Sequence, residues 1–172
     1  MRQGYFPQAL STDERFDAIV FNDVLEHIPA VDEALSACFR HLEPGGLLCL
    51  NCPDRNGLFF RTADVLDRIG ICGPYERLWQ KGLPSPHVWY FTSRDLARAC
   101  VRHGFEKVAQ VRLETIDLDG LWARIRYVRG QSLAMSMASY LFALGSYPLS
   151  RLLPADSIAL ILRKCGKAGS SG

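Results

Sequence analysis

One stretch, FDAIVFNDVLEHIPAVDEALSACFRHLEPGGLLCLNCP from Phe16 to Pro53, constrains the fold more than any other part of the chain. Phe16 to Phe21 is apolar except for Asp17, the pattern of a central strand buried on both faces of a parallel sheet. Asn22 and Asp23 then bring polar side chains to its carboxyl end, where open α/β sheets bind their ligands. Val31, Leu35, Cys38, Phe39 and Leu42 recur at helical spacing, and Glu43-Pro44-Gly45-Gly46 stops that helix. Leu47 to Leu50 reads as the next buried strand. Strand, helix and strand in this order predict a right-handed βαβ crossover.

Composition limits what can be built around this unit. The 172 residues suffice for one domain with a core, and 48% hydrophobic with 22% charged is ordinary for a globular protein. A formal net charge of +2 leaves no polyanion footprint, so nucleic acid is not an expected partner. The six cysteines are scattered through apolar segments, the usage of a cytosolic protein. Cys49 and Cys52 stand alone as a close pair and, three apart on a strand, would face opposite sides, so no metal is assigned to them. The start of the chain carries no apolar secretory core, and the expected location is cytoplasmic.

Further along, Phe59, Phe60, Ala63, Leu66 and Ile69 share one helical face. The segment 75–91 has no period, is rich in aromatics and prolines, and reads as a substrate-facing loop. Thr92-Ser93-Arg94-Asp95 offers an N-cap for a helix ending at His103-Gly104, followed by a strand from Phe105 to Leu113. Trp122 lies among Arg124, Arg126 and Arg129, a small basic cluster ahead of an apolar helix from Ser132 to Leu144. Gly145, Pro148 and Arg151 are expected to cut that helix too short to span a bilayer. It is expected to pack on the substrate side of the sheet, with peripheral membrane contact as the alternative. Ser157 to Leu162 reads as the last strand, and 166–172 as a disordered tail.

Phe16-Asp17, Asp23-Val24-Leu25-Glu26-His27 and Leu42-Glu43-Pro44-Gly45-Gly46, in order and at this spacing, resemble the fourth-to-fifth strand region of class I S-adenosylmethionine-dependent methyltransferases. Trp89-Tyr90-Phe91-Thr92, Leu96 and Gly104-Phe105 match later landmarks more loosely. The resemblance implies an α/β three-layer sandwich with a partial Rossmann-like sheet, mostly parallel with an antiparallel last strand and truncated at its N-terminus. The domain would cover 1–165, with a helical insertion at about 117–155. The family's glycine-rich cofactor loop has no counterpart, since no G-x-G occurs in the chain.

By resemblance the cofactor is S-adenosylmethionine, with Asn22 and Asp23 contacting it and Tyr5 and Phe6 flanking its adenine. The other reading of Tyr5 and Phe6 is that they pin the loop to the core. His27, His87 and Tyr90 would face the methyl acceptor, an O or N of a small molecule or glycan. His87 is the stronger candidate for general base, because imidazole titrates in the useful range and the residue sits in the aperiodic loop. Some families with an acidic-x-x-Glu-His pattern hold a divalent ion there, which would fall on Asp23, Glu26 and His27. Many relatives do not, and no metal is assigned. Without the glycine loop the chain alone is expected to bind the cofactor weakly and to be inactive. A scaffold or partner-completed half-domain is the competing reading, and an exposed sheet edge invites homo-oligomers.

Overall fold

The computed structural model describes residues 3–113, 118–127, 132–152 and 155–166. Its organising unit is the one anticipated: β1 (Phe16–Asn22), α1 (Val31–His41) and β2 (Leu42–Pro53), with the two strands parallel. Phe16 pairs with Leu42 but Ala18 pairs with Leu47, so Glu43 to Gly46 bulge out between the two pairings. Gly45 takes a φ of +79° in that bulge, a conformation that costs glycine nothing.

Next come α2 (Leu58–Arg68), α3 (Gly73–Leu78), α4 (Ser93–Arg102), β3 (Phe105–Arg112), α5 (Leu121–Tyr127), α6 (Leu133–Leu152) and β4 (Ser157–Lys164). The strand order is β1-β2-β4-β3, and β4 runs antiparallel to both of its neighbours. Three strands therefore share one direction and the last opposes them, which is the predicted partial Rossmann-like arrangement. Thr92 caps α4 as the sequence indicated, its Oγ1 accepting the Asp95 N–H at 3.2 Å and donating to the Asp95 carboxylate at 2.7 Å.

The core lies on one face of the sheet. Ile19, Phe21, Leu48, Leu50, Leu160 and Leu162 point toward Leu35 and Cys38 of α1 and Leu96 and Cys100 of α4. Each leucine fully buried there contributes about 1.5–3 kcal/mol of transfer free energy. The Phe39 and Phe105 rings lock the two layers edge to face at 5.5 Å.

The opposite face differs from expectation. Burial of β1 on both sides is not met: Ala18, Val20 and Asn22 are exposed, Val20 at 65%. The apolar run is explained by strand propensity on the outer face and by burial on the inner one. β1 is also an edge strand, with one side of its backbone unpaired in the sheet.

Three helices depart from their sequence reading. The apolar helix continues through Gly145 and Pro148 to Leu152. A proline's missing N–H removes one backbone bond and does not by itself end a helix already formed on both sides. No helix among the described residues is long and apolar enough to cross a membrane. Part of the aperiodic segment is helical as α3, where Pro74 occupies the first turn. Of the helical face assigned to α2, Phe60 and Ala63 are buried, whereas Phe59 and Ile69 are exposed. Arg129 and the proposed tail beyond Gly166 lie outside the described residues, as does the Arg124 side chain.

Candidate active site

At the end of β1 the chain turns sharply. Asp23 adopts a φ of +51°, a left-handed conformation in which Asp and Asn are enriched among non-glycine residues, and its N–H donates to the Asn51 carbonyl at 2.9 Å. A 3-10 turn, Leu25–His27, follows at once. Asn22 stands in register with Asn51 on β2, and the Asn51 side-chain amide donates to the Asn22 side-chain Oδ1 at 2.9 Å. The carboxyl ends of β1 and β2 thus carry a polar pair of which the sequence reading named only Asn22. The matching offset of Asn51 at the end of its own strand was the available signal.

The aromatic loop is stitched to this turn. The Glu26 carbonyl accepts the N–H groups of Val88 at 2.9 Å and Trp89 at 3.1 Å, and the Trp89 indole donates to the Ile28 carbonyl at 3.0 Å. His27 and His87 are thereby brought together, with ring centroids 4.7 Å apart and planes at 65°.

Hydrogen-bond chemistry assigns the protons. The His27 Nδ1 faces the Pro86 oxygen, which can only accept, at 3.1 Å and the Ser85 hydroxyl, which can donate or accept, at 3.3 Å; the tautomer with its hydrogen on Nδ1 satisfies the closer contact, and in that tautomer Nε2 presents a bare lone pair. The Tyr90 hydroxyl donates to the Leu78 carbonyl at 3.0 Å, so its oxygen accepts from His87 Nδ1 at 3.2 Å. His87 Nε2 then accepts from the Gln80 amide at 3.0 Å. Both His87 nitrogens are therefore engaged. Among the described residues His27, not the sequence-favoured His87, has the uncommitted nitrogen.

Glu26 lies beneath this pair, 1% exposed, and neither carboxylate oxygen has a hydrogen-bond partner among the described residues. Burial raises its pKa, opposed by its own backbone N–H and the charge of His27, while Asp23 adds to the rise. Desolvation, and then the neighbouring His27, lowers the pKa of His87. Tyr90 is pushed up to about 12, first by burial and then by Glu26 and Tyr75, so its phenol stays protonated and braces His87. Glu26, His27 and His87 each offer a ligand atom within 4.8 Å of the others. His87 takes the third place in this group; Asp23 does not enter it.

The cofactor candidates divide. The Phe6 ring packs edge-on against Phe21 at 5.2 Å and is committed to the core. That contact carries the 5–6 loop to the carboxyl end of β1, where Tyr5 stays 87% exposed. Asn22 and Asp23 are exposed in the same region. These residues suit the hydrogen-bonding and stacking end of a nucleoside, and the glycine cradle for its other end is not among the 172 residues.

Beside His87 opens a cavity of about 630 Å³ between α2 and α3, walled by Leu58, Phe60, Ala63, Leu66 and Leu78. Its volume is that of a small-molecule site. Sequence reasoning missed both this cavity and Gln80, because an aperiodic segment gives no phase from which side-chain directions can be read.

An open α/β sheet with polar groups and a concave apolar cavity at its carboxyl ends is an architecture that binds small molecules. The comparisons narrow it: the methyltransferase domain family matches residues 2–110, and the chain belongs to that family. Among solved structures, a mycolic acid cyclopropane synthase complexed with SAH is similar at 18% identity and a TM-score of 0.54, over 88% of this chain and 56% of that one. A cyclopropane synthase from Mycobacterium tuberculosis aligns at 17% identity and a TM-score of 0.55, over 88% and 56%. A Galdieria sulphuraria protein, provisionally assigned as a sarcosine dimethylglycine methyltransferase, aligns at 15% identity and a TM-score of 0.52, over 94% and 58%. At these identities the likeness concerns the fold, and the chain spans a little over half of each of these structures. No curated protein matches the chain.

Proposed function

We propose that this domain serves methyl transfer from S-adenosylmethionine to an oxygen or nitrogen of a small molecule, with His27 as the proton acceptor. The carrying observation is the pairing of His27, whose Nδ1 is held by the Pro86 carbonyl at 3.1 Å so that Nε2 is left bare, with a buried, partnerless Glu26 carboxylate next to it in the chain. S-adenosylmethionine, when bound, supplies an electrophilic methyl on a sulfonium that leaves as a neutral thioether. His27 Nε2 takes the proton lost by the acceptor as its new bond to carbon forms, and the negative charge that Glu26 can carry stabilises the imidazolium. Asn22, Asp23 and Tyr5 hold the adenosine end of the cofactor, while Tyr90 and His87 fix the acceptor side. Glu26, His27 and His87 lie close enough to share a divalent ion, but both His87 nitrogens are engaged by Tyr90 and Gln80, so no metal is assigned to the set.

The test is single-turnover transfer of a labelled methyl group by the purified protein at millimolar S-adenosylmethionine. That concentration offsets the weak affinity expected without a glycine cradle. His27→Gln should lower the rate by about 10²- to 10⁴-fold, the usual contribution of a positioned base. No transfer by the unsubstituted protein would favour the second reading, a non-catalytic module completed by a partner. The free edge of β1 and the exposed Val20 on its outer face support that alternative.

A further inference from the structure

Arg94, Arg98 and Arg102 recur every fourth residue along α4, so their side chains leave the helix on one face. Nothing in the helix itself rewards that arrangement. Like charges four residues apart destabilise a helix, and Arg94 lies in the first turn, at the positive end of the helix dipole. Between this ridge and β3 runs a groove of about 610 Å³, with Lys107 and Gln110 on the strand side. Both point to the α4 side of the sheet, because the bulge between Lys107 and Ala109 sets them opposite the core residues Leu162 and Leu160.

No carboxylate lines the groove. α4 and β3 hold one acid each, and both are engaged elsewhere: Asp95 accepts from the Thr92 hydroxyl at 2.7 Å, and Glu106 faces Arg163 at 3.4 Å. Lys107 Nζ donates to Gln110 Oε1 at 3.5 Å. Arg102 also borders a hollow that contains Asp32 and Glu33, yet among the described residues none of the three arginines is in an ion pair. All four cations are exposed.

The groove runs beside an open strand. β3 ends the sheet and pairs with β4 on one side, so its outer backbone edge is unpaired within the sheet. A lysine and a bulge on such an edge oppose indiscriminate pairing with other chains. For an acidic segment the sign reverses, and Lys107 attracts. The spacings match as well: alternate residues of a strand are about 6.7 Å apart, and every fourth residue of a helix about 6 Å. Arginine takes a carboxylate through two parallel hydrogen bonds and would take a phosphate the same way. A single nucleic-acid strand, however, relies on ring faces to stack its bases, and no aromatic residue lines this groove.

We propose that the groove between α4 and β3 docks an extended acidic segment of a partner protein, which adds to the free edge of β3 and sets acidic side chains at alternate positions against Arg94, Arg98 and Arg102. This docking is separate from methyl transfer and does not depend on it.

Fluorescence anisotropy tests the proposal with two labelled probes, a peptide of alternating glutamate and threonine and an oligothymidylate, each titrated with the purified full chain at low salt. The peptide should bind saturably, and more weakly as salt is raised. Arg98→Ala should weaken it roughly two- to fivefold, and Arg98→Glu by at least about tenfold. Arg61→Glu, the same change of charge at an exposed position of α2 outside the groove, should leave affinity within a factor of about two. On isotope-labelled protein the peptide should shift backbone amides of β3 and α4 and spare those of β1. No saturable binding of the peptide, oligothymidylate binding as tightly, an Arg61→Glu loss equal to that of Arg98→Glu, or amide shifts that leave β3 untouched would overturn the proposal.

Discussion

His27 and His87 meet edge-on at 4.7 Å although they come from separate loops, and the contact exists because the Glu26 carbonyl holds the N–H groups of Val88 and Trp89. Packing a second imidazole against His27 in a partly buried position disfavours charge on His87. The unfolded chain therefore takes up that proton at higher pH than the folded one, and stability falls as pH drops below the ordinary value of 6.5. Imidazole resonances followed by NMR should show His87 titrating below that value, and a midpoint at or above it would contradict the assignment.

Glu26 acts in the opposite sense. Its carboxyl keeps its proton to higher pH in the folded state than the ordinary 4.5, so ionising it as pH rises above that value costs stability. Glu26→Gln keeps the shape and removes the charge. Its melting temperature at neutral pH should rise by at least about 2 °C, which at this chain length corresponds to roughly 1 kcal/mol. An unchanged or lower melting temperature would show that the ionised carboxylate is already well compensated.

Gly104 closes α4 at a φ of +86°, and a Cβ built there would lie 2.6 Å from the Phe39 ring. Gly104→Ala combines backbone strain with overpacking where α1 meets α4, and should cost about 1–3 kcal/mol by denaturant titration. A loss below about 0.5 kcal/mol would mean that Phe39 swings aside freely.

Leu133, Met137, Leu141 and Leu144 form an exposed apolar stripe along α6, so the expected packing of this helix on the substrate side does not describe that face. α5 is docked on another side of the same helix through Trp122 and Tyr140, whose rings lie 5.5 Å apart, and through Arg126, which donates to Ser136 at 3.4 Å. A stripe of this kind suits the surface of a bilayer. Cosedimentation with anionic liposomes at low salt is expected, reduced at least severalfold by Met137→Asp. Protein remaining in the supernatant would leave the stripe to a protein partner.

The βαβ unit was legible because its periodicities are long and its Pro-Gly-Gly stop is unambiguous. The capping of α4 by Thr92 was legible for the same reason, since both partners lie within one turn. The different hydrogen-bonding of His87 and His27, on which the proposed exchange of roles rests, was not, because it depends on which carbonyls the site's side chains meet, and Pro86 and Leu78 belong to a segment without a period. The exposure of Val20 was hidden by its chemistry, as valine suits a strand whether or not its face is covered. Phe6 and Tyr5 could not be separated in sequence; packing against Phe21 takes one into the core and leaves the other outside.

The central claim places the cofactor's adenosine end at the carboxyl end of β1. Titration of the isotope-labelled protein with S-adenosylhomocysteine to millimolar concentration, read as backbone amide shifts, tests it most directly. The account predicts weak saturable binding, with the largest shifts at Tyr5, Asn22, Asp23 and Asn51 and little change along β3 and α4. Shifts clustered elsewhere, or none at saturating ligand, would contradict it.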